Sequence, residues 1–153
     1  MLKPAALACA LACLPASAQP LVDEADLWMQ DHAVLTMSLT GEWGVGIDPD
    51  IARAIKAAID NCRKMSRAKP PMDGCGADFS SIRAGWSLGI RCGRHNILVA
   101  DRDLAKAEQQ ALARERELRQ RYAPQAPPCV RVVTVTPAGY VIRGSQTPAV
   151  AAD

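Results

Sequence analysis

The stretch WGVGIDPDIARAIKAAIDNC, residues 43–62, contains a strand, a turn into a helix and the helix itself. Trp43, Val45 and Ile47 alternate onto one face of an extended segment. Asp48-Pro49-Asp50 then supplies an N-cap acceptor, a proline preset for the first helical turn and an acid at the positive end of the helix dipole. Ile51, Ile55, Ala58, Ile59 and Cys62 recur at helical spacing as one stripe, which predicts a helix to about Lys64. Upstream, HAVLTMSL (residues 32–39) places Leu35, Met37 and Leu39 on one face, and Thr40-Gly41 is a turn signal. A β-hairpin with one buried side therefore leads into the helix.

The pattern returns downstream. AGWSLGI (84–90) repeats the W-x-x-G-I frame of GEWGVGI (41–47), and DLAKA (103–107) repeats DIARA (50–54). Trp86, Leu88, Ile90 and Cys92 share one strand face, Ile97-Leu98-Val99 forms a short buried strand, and Asp101-Arg102-Asp103 opens a second helix. The Trp frames are 43 residues apart and the helix starts 53 apart, a difference that an insertion, CGRHNILVAD, would absorb. This predicts a duplicated strand–strand–helix unit with Trp43 and Trp86 as core residues in equivalent positions. The alternative is chance recurrence of a short motif. Gly44, Gly46 and Gly89 sit where a bulky group comes close to a strand. An indole lying across them is the packing explanation, and a ligand-stacking platform is the other.

The second helix is expected over about 102–122, with Leu104, Ala107, Ala111, Leu118 and Tyr122 on one face. Glu115 falls in that stripe and can pair with Arg119 one turn later. The alternating Arg and Glu from Arg114 to Arg121 read as a solvated face with weak ion pairs rather than a basic binding surface. After APQAPP, the run CVRVVTVTPAGYVIR reads as a hairpin turning at Pro137-Ala138-Gly139, and SQTPAVAAD (145–153) as a disordered tail. The fold class is α+β: duplicated strand–strand–helix units on a largely antiparallel sheet, with a C-terminal β-hairpin.

The first 18 residues have one early charge, Lys3, an apolar run from Ala5 to Leu14, and the small-x-small triplet Ala16-Ser17-Ala18. They read as a signal peptide cleaved after Ala18, too short for a membrane span of about 20 apolar residues. Lipidation at Cys9 or Cys13 is the competing reading, although Ala10-Leu11-Ala12 places Leu one position off the usual lipobox. The mature chain would be a single domain over 19–144 followed by the tail. Losing Lys3 takes the formal charge from +2 to +1, too little for a field that attracts nucleic acid or acidic lipid. Four cysteines remain, Cys62, Cys75, Cys92 and Cys129, and in an exported chain they read as two disulfides. Spacing allows three pairings. The faces favour Cys62 with Cys75, across one loop, and Cys92 with Cys129, tying the last hairpin to the rest.

The frame Trp43-Gly44-Val45-Gly46, the Ala-rich helix Ile51 to Cys62, Cys75-Gly76-Ala77 and Gly85-Trp86 carry a resemblance over roughly residues 33 to 113. The chain resembles the small exported bacterial domains of unknown function (domain of unknown function 4189) whose units run W-G-x-G, an Ala-rich helix ending in Cys, C-G-A, then a second W-G frame. It departs from them in an extra strand after the second Trp frame and in a second helix without a terminal Cys. The usual additional Cys between helix and C-G-A is also missing. The resemblance implies no catalytic residue.

No catalytic constellation, cofactor fingerprint or phosphate-cradling loop emerges from the chain. Cys92 and His95 are the one close cysteine–histidine pair, and oxidation would remove the thiol. Zinc held by Cys75, Cys92, Cys129 and His95 would complete four ligands, but no C-x-x-C pair supports it. Paired carboxylates for glycoside hydrolysis would come from Asp23, Glu24 and Asp26, in a polar segment near the mature N-terminus. Asp48, Asp50, Asp101 and Asp103 are better explained as helix starts. The expectation is an exported, non-enzymatic binding or inhibitor-type domain whose partner is a protein or envelope component in the periplasm or outside the cell. A small cell-envelope hydrolase, or a structural subunit using the charged helix as its interface, are the alternatives.

Overall fold

The computed structural model describes residues 31–66, 70 and 72–144. The expected signal peptide over 1–18, Cys9 and Cys13, the acids Asp23, Glu24 and Asp26, and the tail 145–153 lie outside the described residues.

Along the chain run β1 (His32–Met37), β2 (Trp43–Asp48), α1 (Ile51–Met65), β3 (Phe79–Arg83), β4 (Trp86–Cys92) and β5 (His95–Asp101). They are followed by α2 (Leu104–Glu117), a π-helical turn (Leu118–Tyr122), β6 (Val130–Val135) and β7 (Val141–Arg143). The strand pairs are antiparallel, so the fold is α+β and closes on the β6–β7 hairpin. The strands divide between two sheets instead of sharing one, in the orders β2-β1-β3 and β5-β4-β6-β7.

The two halves have the same connectivity. In each, a hairpin leads to a helix, and a strand then returns to the free side of the hairpin's first strand. β1-β2-α1-β3 does this in one sheet and β4-β5-α2-β6 in the other. The helix starts match as well. Asp50 accepts from the backbone N–H groups of Ala52 and Arg53, while Asp48 accepts from the Asp50 N–H at 2.8 Å. Asp103 accepts from Ala105 and Lys106, while Asp101 accepts from the Asp103 N–H at 3.0 Å.

This correspondence relocates the tryptophans. CGRHNILVAD is not an insertion, because it carries the whole of β5, the counterpart of β2. Trp43 opens β2, an edge strand, whereas Trp86 opens β4, which lies inside the other sheet. The two positions are not equivalent, and both indoles are partly buried instead of buried. The sequence reading also missed β3. FSSIR has serines where apolar alternation would mark a strand, and only its pairing with β1 defines it.

The elements stack as α1, first sheet, second sheet, α2. Val34 packs on Ala54 and Ala58 beneath α1. Leu35, Met37, Leu98 and Val133 fill the space between the sheets, with Trp43 and Val45 partly buried beside them. Leu88, Ile90, Ile97 and Val99 meet Ala107 and Ala111 beneath α2. The α1 contact is the closest. A Cβ on Gly44 would lie 2.1 Å from the Ala58 carbonyl oxygen, and one on Gly46 would lie 1.9 Å from that of Ala54. Gly44 and Gly46 therefore seat a helix backbone and Gly89 seats side chains of neighbouring strands, where indoles were expected to lie across all three. Ala54, Ala58 and Cys62, all fully buried, are the small residues on the helix side of this contact.

Cys62 is joined to Cys75, stapling the end of α1 to the loop before β3. Cys92 is joined to Cys129, linking the end of β4 to the start of β6. At the hairpin tips, side chains cross between the sheets. The Arg91 Nη2 donates to the Leu39 carbonyl at 2.8 Å, and the Asn96 Nδ2 donates to the Ser38 carbonyl at 2.8 Å. Arg91 also donates to the Asn96 Oδ1 at 2.6 Å.

Candidate functional site

A hollow lined by aromatic, proline and charged side chains forms where α2 ends. At Leu118 the helix loosens into its π turn, closed by the Ala123 N–H donating to the Leu118 carbonyl five residues back at 2.7 Å. The extra residue in that turn rotates the side chains beyond it. Tyr122, expected on the buried stripe with Leu104, Ala107, Ala111 and Leu118, is swung outward and stands 70% exposed. Ala107 and Ala111 are buried, while Leu104 and Leu118 pack at the margin of the same cluster.

The loop 123–128 is held from beneath by Arg119. Its Nη1 donates to the Ala126 carbonyl at 2.6 Å, and its Nη2 donates to the Pro127 carbonyl at 3.0 Å. Glu115 accepts from the same guanidinium at 3.0 Å, so the acid in the apolar stripe orients the loop's clamp. Pro127 presses on the β4–β5 turn, since a Cβ on Gly93 (φ +62°) would meet its Cδ at 2.8 Å. The hollow between loop and turn has a volume of about 460 Å³. Tyr122, Pro124, Pro127, Arg94 and His95 supply its rings and charges, over a floor that includes Cys92 of the disulfide.

Of the residues singled out from sequence, Cys92 and His95 face each other across β4 and β5, but the Cys92 sulfur is bonded to Cys129 and fully buried. The proposed zinc set does not assemble, because Cys75 is bonded to Cys62 at the end of α1. Among the described residues no group of three or more His, Cys, Asp or Glu side chains converges for a metal. Asp48, Asp50, Asp101 and Asp103 each use Oδ1 at the two helix starts, and the Asp101 Oδ2 accepts from the Gln110 Nε2 at 2.8 Å. Arg53 and the Asp50 N–H hold the Asp48 carboxyl below the usual carboxylate range. His32, at the start of β1, accepts from the Arg83 Nε at 2.8 Å. Its pKa is lowered by desolvation first and then by the Arg83 charge.

Trp43 lines a smaller hollow of about 280 Å³ with Met65, Val132 and Arg143, and the Arg143 guanidinium carbon lies 5.9 Å from its ring centroid. A cation already occupies one face of the indole that the stacking-platform reading would need. Sequence reasoning missed Tyr122, Arg94 and the prolines as a set. Their signal was a Tyr directly followed by a proline-rich link, and it was read as a connection only.

An exposed phenol, pyrrolidine rings, an imidazole and a guanidinium around a preformed hollow suit non-covalent recognition of a mixed apolar and polar surface. No described helix is long and apolar enough to cross a membrane. Comparison with protein-family models, with curated proteins and with solved structures finds no match to this chain.

Proposed function

We propose that the protein is an exported, non-enzymatic binding domain that receives a protein or envelope component at the Tyr122 hollow, in the periplasm or outside the cell. The observation that carries this reading is the rigid lining. Tyr122 is pushed out by the π turn, and the proline loop is fixed by Arg119 on one side and by the Cys92–Cys129 bridge on the other. A surface ordered before contact loses less entropy on binding. Two disulfides in a chain with an apolar, A-x-A-terminated leader support export to an oxidising compartment. The non-enzymatic reading draws support from the use of the candidate groups: among the described residues Cys62, Cys75, Cys92 and Cys129 are cross-linked, and the paired aspartates cap helices. The shared connectivity of the halves supports descent from a duplicated unit. The resemblance to exported bacterial domains of unknown function points the same way.

The test is in-cell photocrosslinking with p-benzoylphenylalanine in place of Tyr122, and in place of Lys56 on the exposed face of α1 as control. A discrete adduct from the Tyr122 position and none from the Lys56 position is the expected result. Equal labelling from both positions, or none from Tyr122, overturns the assignment of the surface.

A further inference from the structure

A third, smaller pocket opens between the hairpin tips and the loop that enters β3. Its volume is about 200 Å³. Met37, Leu39, Phe79 and Leu98 give it apolar walls, and Asp78 and Arg114 give it two charges of opposite sign. The frame is fixed. The Thr36 hydroxyl donates to the Asp78 carbonyl at 2.7 Å and accepts from the Gly76 N–H at 2.9 Å, and the Cys62–Cys75 bridge anchors the same loop. The neighbouring Asp73 is 1% exposed and accepts from the Arg63 Nε at 3.2 Å. Arg114 is aimed by one bond, from its Nη1 to the Leu98 carbonyl at 2.8 Å, which leaves the rest of its fork unused among the described residues. The Asp78 carboxylate likewise has no partner among the described residues, and the two charges do not pair with each other.

Two unmatched opposite charges on one small pocket of mixed polar and apolar lining select their ligand by elimination. A simple anion meets Asp78 and a simple cation meets Arg114, so each is attracted and repelled at once. A nucleotide or oligosaccharide is too large, since drug-sized ligands occupy roughly 300–1,000 Å³. A zwitterion satisfies both groups, and an apolar side chain fills the rest. We propose that this pocket binds a free α-amino acid with an apolar side chain. Asp78 accepts from its ammonium, Arg114 donates to its carboxylate, and Met37, Leu39, Phe79 and Leu98 surround the side chain. The planar guanidinium suits the carboxylate through paired N–H donors. This site is separate from the Tyr122 hollow and does not depend on the reading given to that surface.

The experiment titrates the mature protein by calorimetry and by amide NMR with L-leucine, N-acetyl-L-leucine and L-leucinamide. L-Leucine is expected to shift the Phe79 and Leu98 amides saturably and to bind at least tenfold more tightly than either blocked probe. Asp78→Asn should abolish its advantage over the acetylated probe, and Arg114→Gln its advantage over the amide. Tyr122→Ala should leave all three titrations unchanged. Melting curves confirm that each variant is folded. Equal binding of the three probes, or no binding of L-leucine at millimolar concentration, overturns the proposal.

Discussion

Replacing Gly46 with alanine adds one methyl group at the point where α1 rests on β2. The new carbon would sit 1.9 Å from the Ala54 carbonyl oxygen and 2.6 Å from the Ala58 nitrogen. Both obstacles are helix backbone, so no rotamer change relieves the contact. Reaching an ordinary separation of about 3.5 Å requires the helix to lift by more than an ångström, which loosens the close packing of Ala54 and Ala58. Overpacking costs about 1–3 kcal/mol where side chains can give way, and more where they cannot. A loss of about 3 kcal/mol or more, with a melting temperature lower by roughly 10 °C, is therefore expected. Gly89→Ala is the internal comparison. There the added carbon meets the Val133 Cγ1 at 2.6 Å and the Met37 sulfur at 3.1 Å, both side-chain atoms that can turn aside. Equilibrium urea unfolding with the disulfides intact measures both variants. If Gly46→Ala lies within about 0.5 kcal/mol of the parent, or costs less than Gly89→Ala, the backbone-seat argument fails.

Removing a helix-start acceptor, in Asp50→Ala or Asp103→Ala, should cost about 1 kcal/mol each in urea titrations, and an unchanged midpoint would contradict the capping role. The Cys92–Cys129 bridge spans 37 residues and the Cys62–Cys75 bridge 13. On loop-closure entropy, serine replacement of the first pair should destabilise by roughly 1 kcal/mol more than replacement of the second, with the reverse order counting against that account. His32 is held below the ordinary imidazole value, so its neutral form is favoured in the fold. Its contribution is present above about pH 6.5 and is lost as pH falls through the depressed value. An NMR titration that places the His32 midpoint at or above that of a denatured control would reverse the sign.

The helix starts are legible in the sequence because their hydrogen bonds run between residues two or three positions apart, as at Asp48-Pro49-Asp50. The cysteine pairing is nearly as legible, since Cys62 and Cys75 flank a single loop and Cys129 opens the strand that joins Cys92. The outward turn of Tyr122 is not, because a π turn breaks the 3.6-residue period on which its burial was judged. Nor is the division into two sheets, because alternation assigns residues to faces without saying what covers each face. Gly44 and Gly46 show this most clearly. They are the helix-facing residues of β2, yet having no side chains they leave the apolar pattern to Trp43 and Val45, which face the other way. The charges of the small pocket, Asp78 and Arg114, are 36 positions apart, and only the tertiary fold brings them to one rim.

The polar crossings at the hairpin tips form a latch on one end of the sandwich, while the chain itself closes the other. At the tips, separating the sheets means breaking the bonds of Arg91 and Asn96 to the Leu39 and Ser38 carbonyls. At the far end, only Ala84 and Gly85 separate β3 from β4, so the backbone itself joins the two sheets there, and Ile47 lies against the β6–β7 turn at Gly139. Asn96 belongs both to the latch and to the wall of the small pocket. The pocket wall is therefore held in place by the same bonds that keep the two hairpin tips together.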